Sequence, residues 1–140
     1  MKTGTVIARP LLAATLLTLA ACGGGSGDNA PPVGLQPTLA SIQDNVFTVT
    51  CAVSGCHSGA GAPYGLQLDR GFSAGNLISV PSGQDPNLIR VVPFDPDASF
   101  LIQKLDGTQT VGERMPAGGP YLTTATINVI RQWIQDGAPK

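Results

Sequence analysis

Thr50-Cys51-Ala52-Val53-Ser54-Gly55-Cys56-His57 sets a histidine directly after the second of two closely spaced cysteines. That order suits covalent haem attachment. Two thiols add across the porphyrin vinyl groups, and the adjacent imidazole is carried under the ring to the iron. Four residues separate the cysteines where the usual motif has two, and Ser54-Gly55 makes the extra bulge sterically easy. Taken alone, Cys51 and Cys56 favour a disulfide, because so short a segment can bring two cysteines to bonding distance in an oxidising compartment. His57 is the only histidine, and Met115 is the only methionine besides Met1. An iron with two protein axial ligands therefore has one obvious pair, His57 and Met115, and His/Met ligation is an electron-transfer arrangement.

Upstream, Leu39, Ile42, Val46 and Val49 lie at helical spacing and predict an amphipathic helix that runs straight into Cys51, with Pro37 in its first turn. Further back the chain changes character. Residues 1–21 read as a signal peptide: Lys2 and Arg9 flank an apolar run, Leu11 to Ala20, too short to span a bilayer as a mature helix. The run ends Leu19-Ala20-Ala21-Cys22, which resembles a bacterial lipobox and implies that the Cys22 sulfur carries a lipid after cleavage. Gly23 follows, where an aspartate would suggest inner-membrane retention; by that resemblance the outer membrane is favoured. Residues 22–37, rich in glycine and proline, read as a tether with a root-mean-square span of roughly 20 Å. The domain is then expected over 38–140. It is a small core for about 100 residues, and it would gain from a large apolar group at its centre.

Downstream of His57, residues 58–65 read as loop and Gly65 to Asp69 as a short extended piece. Phe72 to Ile78 suits one or two helical turns, and Asn87 to Val92 an extended segment. Asp95-Pro96 is expected to start a helix with Asp95 as its cap, burying Phe100, Leu101, Ile102 and Leu105 and stopping at Gly107. Thr108 to Pro120 is a second loop and holds Met115-Pro116. Thr123 or Thr124 caps a last helix in which Ile127, Ile130 and Ile134 form a stripe beside Val129 and Trp133, ended by Gly137. Trp133 reads as a packing residue, and Asp95 and Asp97 as helix caps. The fold class is mostly α, with long ordered loops.

With these pieces placed, the domain resembles class I c-type cytochromes, and in particular the small exported haem-binding modules grouped with planctomycete-type cytochrome c domains. The likeness covers roughly residues 39–138. It rests on the helix entering Cys51, Cys56-His57, Gly65-Leu-Gln-Leu-Asp69, Val92-Pro-Phe-Asp-Pro-Asp-Ala-Ser-Phe-Leu-Ile102, Gly112-Glu-Arg-Met-Pro-Ala-Gly-Gly119 and Ile130-Arg-Gln-Trp-Ile-Gln-Asp-Gly-Ala138. It implies one covalent haem c, held by Cys51 and Cys56 as thioethers with His57 and Met115 as axial ligands, and a terminal helix that crosses the N-terminal one. Lys104 and Arg114 are candidates to pair with the haem propionates.

Composition narrows the rest. After Cys22 the chain carries nine acids against six basic residues, with no basic run or aromatic platform for nucleic acid. A copper electron-transfer site needs two histidines, and zinc would find only Cys51, Cys56 and His57 crowded into one turn. A thiol nucleophile lacks a base able to face it, and the tether glycines precede no phosphate-loop lysine. Two functions from different classes remain. One is an envelope lipoprotein that carries single electrons between redox proteins and is not an enzyme. The other is a haem-free interaction or structural lipoprotein stapled by a Cys51–Cys56 disulfide.

Overall fold

The computed structural model describes Met1 and residues 30–140. The expected signal peptide after Met1, Cys22 and the first half of the expected tether, residues 22–29, lie outside the described residues. Among the described residues no helix is long and apolar enough to cross a membrane. Regular structure is helical, with three isolated bridges as the only β pairing described: Ile78 with Val91, Pro81 with Ile89, and Val92 with Asp95. We number the helices α1, which opens at Leu39–Ile42 and continues over Gln43–Cys51, then α2 (Ser73–Leu77), α3 (Phe100–Asp106) and α4 (Thr124–Gln135).

The folded body starts before residue 38. Leu35 is buried in the core, and its N–H donates to the Pro32 carbonyl. The cap of α1 is Thr38, whose hydroxyl accepts from the Ser41 N–H, so Pro37 lies just outside the first turn rather than in it. From Gln43 onwards the helix widens to the π form, in which each N–H reaches five residues back. The Ala52 N–H, for example, donates to the Phe47 carbonyl at 2.7 Å. The wider turn changes the buried face. Ile42 and Val46 stay buried, Phe47 joins them five residues after Ile42, and Val49 is turned out to 61% exposure.

Other boundaries shift for similarly local reasons. Residues 65–69 form no strand. Asp95 accepts from the Ala98 N–H in a turn before α3, not at its cap. The cap position belongs to Ser99, which is fully buried; its hydroxyl takes the Val92 N–H and donates to the Asp95 carbonyl. Asp97 instead pairs with Arg131 at 2.6 Å, and Arg131 also reaches Asp106 at 2.5 Å. These ion pairs tie α3 and the turn before it to α4, and α3 and α4 are the two helices that pack most directly.

Where the signals were strongest, the structure agrees. Gly107 ends α3 in the left-handed conformation that glycine adopts at no steric cost, and Thr123 caps α4. Ile127, Ile130, Trp133 and Ile134 are all buried, in one apolar core with Ile42, Val46, Phe47, Leu77 and Val91. Trp133 is a packing residue, and its indole N–H donates to the Pro139 carbonyl at 3.0 Å. Truncating Ile42 to alanine should cost about 2–5 kcal/mol, whereas Val49→Ala should stay within about 0.5 kcal/mol. Urea unfolding of the two variants reads the register of α1 directly; equal losses would return Val49 to the buried face.

Candidate functional site

A cavity of about 390 Å³ opens beside α1 and α3, within the size range of small-molecule and cofactor sites. Cys51, Cys56, His57 and Met115 all line it, so residues 58 positions apart in sequence share one chamber. Its apolar lining includes Leu66, Leu68, Leu77, Phe100, Leu101 and Leu105. No aspartate or glutamate lines it, while Arg90 and Lys104 do.

The end of α1 delivers the cysteines. Cys51 is its last residue, and the chain turns back so that the His57 N–H donates to the Cys51 carbonyl at 3.0 Å. The Cys56 N–H donates to Val53, and Gly55 has φ of +80°, so the four intervening residues form a closed bulge. Both thiols are free. Cys51 is half-buried and Cys56 exposed. Burial, with the Cys56 sulfur adding to it, pushes the Cys51 thiol up to about 12.

The His57 ring is fixed on one side. Its Nδ1–H donates to the Leu66 carbonyl at 3.0 Å, which leaves Nε2 with its lone pair free. A ring nitrogen held in this way is how metal-binding histidines have their tautomer set. Burial lowers the imidazole pKa from its ordinary 6.5, opposed by the Leu66 hydrogen bond and reinforced by the charge on Arg90, so the neutral ring is favoured. Asp69 braces the loop beyond it, accepting from the Ser58 hydroxyl, the Gly59 N–H and the Gln67 amide at 2.7–2.8 Å. Those bonds, Gly59's foremost, hold its carboxyl below the usual range.

Met115 is held from α3. Its N–H donates to the Lys104 carbonyl at 2.9 Å. The Lys104 ammonium, 7% exposed, donates to the Val111 and Glu113 carbonyls at 2.7 and 3.1 Å. Arg114 donates to the Leu105 carbonyl and stacks over Tyr121, with 4.1 Å to the ring centroid. Lys104 therefore serves the loop backbone and Arg114 the last turn of α3, roles their sequence context did not suggest. Arg90 carries no sequence signal at all: it sits in an extended segment between apolar residues, and only the tertiary structure buries it against the cavity.

Among the described residues no three His, Cys, Asp or Glu side chains cluster as a metal site; a ligand set of one histidine and one methionine is not of that kind. Comparison with known proteins found no matching family model, no matching curated protein and no matching solved structure.

Two measurements test this geometry. In reduced, haem-free protein Cys56 should alkylate well before Cys51, since the thiolate is the reactive form; peptide mapping after brief iodoacetamide treatment reads the order. Asp69, with its folded pKa depressed, contributes stability that is complete above the ordinary carboxylate value of 3.8 and is lost as pH falls through the lower folded value. Urea midpoints of the parent should therefore fall across that acidic window, and those of Asp69→Asn should fall less.

Proposed function

We propose that this chain is a monohaem electron carrier of the class I c-type cytochrome kind, tethered to the cell envelope through a lipid on Cys22. The observation that carries the proposal is the convergence of Cys51, Cys56, His57 and Met115 on one apolar cavity, with Nε2 of His57 left free.

The residues present fit the group. Haem is a large apolar disc bearing two carboxylates. The cavity offers leucine and phenylalanine surface together with two buried cations, Arg90 and Lys104, that make no ion pair among the described residues. A buried charge is ordinarily paired. The carboxylates of the prosthetic group are the natural counter-charge, and each cation keeps at least one N–H beyond those it gives to carbonyls. When bound, haem supplies a one-electron couple at its iron. Cys51 and Cys56 would hold it as thioethers, and His57 through Nε2 and Met115 through its sulfur would bind its iron; the apolar lining would exclude water. With His57 and Met115 both bound to the iron, no position would be left for substrate, and the protein would exchange electrons with redox partners instead of catalysing a reaction. Support for the envelope location comes from the Lys2/Arg9 flank, the short apolar run and Leu19-Ala20-Ala21-Cys22. The acidic surface and absence of a basic run leave no footprint for nucleic acid.

Expression in a host with haem-attachment machinery tests the proposal. Denatured protein should retain one porphyrin by mass, and replacing both Cys51 and Cys56 with alanine should abolish it. Protein at the apo mass less two hydrogens, with both thiols blocked, would establish the haem-free disulfide lipoprotein instead. In the loaded protein Met115→Ala should keep the haem, lose the sulfur-to-iron charge-transfer band, lower the potential and admit carbon monoxide. Ready carbon monoxide binding by the parent protein would remove Met115 as a ligand.

A further inference from the structure

The orientation of His57 depends on the Leu66 carbonyl, and that carbonyl belongs to a strap of unusual backbone. Tyr64 and Gly65, just before it, have φ of 56° and 65°. Consecutive left-handed residues, one carrying an aromatic side chain, are unfavourable unless the surroundings hold them in place. Three features do so. The Arg90 guanidinium, 7% exposed, donates through Nη2 to the Tyr64 carbonyl and through Nη1 to the Asn76 carbonyl, both at 2.7 Å, with Gly65 at 3.4 Å. Asn76 in turn donates from its side chain to the Gln67 carbonyl at 2.9 Å. Behind the strap stands Gly83, where an added Cβ would lie 2.6 Å from the Tyr64 carbonyl oxygen.

Among the described residues Arg90 makes no ion pair, and each acceptor it has is a main-chain carbonyl. A planar guanidinium holds its donors in a fixed fork, a geometry that the compact point charge of an ammonium does not reproduce. The guanidinium is therefore placed to hold the strap two residues from the carbonyl that receives the imidazole proton.

We propose that Arg90 is the positioning residue for His57: by clamping the Tyr64 and Gly65 carbonyls it fixes the Leu66 acceptor, and so determines that Nδ1 carries the proton and Nε2 faces the cavity. This deepens the proposed function, since it gives His57 its ligand-ready form, but it is a property of the chain itself.

The test follows the tautomer. In the full chain prepared without haem, nitrogen-15 shifts of the His57 ring should show the Nδ1–H form dominating. Arg90→Gln should reduce the tautomer ratio roughly fivefold, the worth of about one hydrogen bond. Gly83→Ala, which displaces the strap without touching a charge, should move it in the same direction. Arg70→Gln, an exposed arginine paired with Asp44, should leave it unchanged. In haem-loaded protein the Nδ1–H of Arg90→Gln should exchange with solvent faster than in the parent. If Arg90→Gln does not fold, Arg90→Lys, which keeps the charge and loses the fork, takes its place with the same expected direction. An unchanged ratio in the Arg90 variant overturns the proposal. So does a shift in the Arg90 variant alone, which would assign the effect to charge and not to the strap. A chain that never acquires haem overturns the proposed function and leaves the tautomer result standing.

Discussion

Loop backbone drawn against a core must have its carbonyls and N–H groups satisfied without the ladders that helices and sheets provide. That constraint governs this protein, in which long loops carry the chain past its cavity. It is met by a few buried polar side chains. Arg90 serves the strap before Leu66 and the end of α2, Lys104 serves the Met115 loop, Ser99 joins Val92 to Asp95, and Gln43 reaches from α1 to the Leu68 carbonyl and the Ser73 hydroxyl. Among the described residues no buried side-chain polar atom is left without a partner. Each of these bonds is individually modest, but losing one strands a buried group, and the penalty for that exceeds the gain from making it.

The same side chains define the candidate site. The loops bearing His57 and Met115 are each fastened by a buried cation whose partners are main-chain carbonyls, so the two walls that would hold an iron are set by bonds made within the protein. What those bonds leave over is positive charge facing an apolar cavity, an arrangement that suits a flat apolar ligand bearing carboxylates. The π-helical end of α1 adds to this. By widening the turn it brings Phe47 into the core and sends the chain out at Cys51, next to the cavity, and the bulge from Ala52 to Gly55 then closes onto His57. Irregular helix geometry of this kind is common at functional sites.

Much of this was legible in the residues. The stripe Ile127-Ile130-Ile134, the cap at Thr123 and the stop at Gly107 follow from spacing and from the stereochemistry of single residue types, which act within one helical turn. The cysteines, His57 and Met115 stood out by chemistry and scarcity, and the fold brings them to one cavity. The cap at Ser99 and the outward turn of Val49 were not legible. Asp95-Pro96 is as good a local start signal as Ser99, and the choice between them rests on the Val92 N–H from another segment. Val49 fits an α-helical stripe; only the five-residue reach of the π turn, stabilised by Phe47 in the core, displaces it.

The sequence by itself determined the helical class, the identity of the candidate site side chains and the order in which they come, because periodicity, capping and scarcity are properties of neighbours along the chain. Tertiary structure alone decided where the buried cations go. Arg90, Lys104 and Arg114 differ little as letters in a polar or extended context, yet one grips the His57 strap, one the Met115 loop and one stacks on Tyr121. Those roles depend on carbonyls up to 26 positions away, and no local rule relates a side chain to an acceptor that only the folded chain brings within reach.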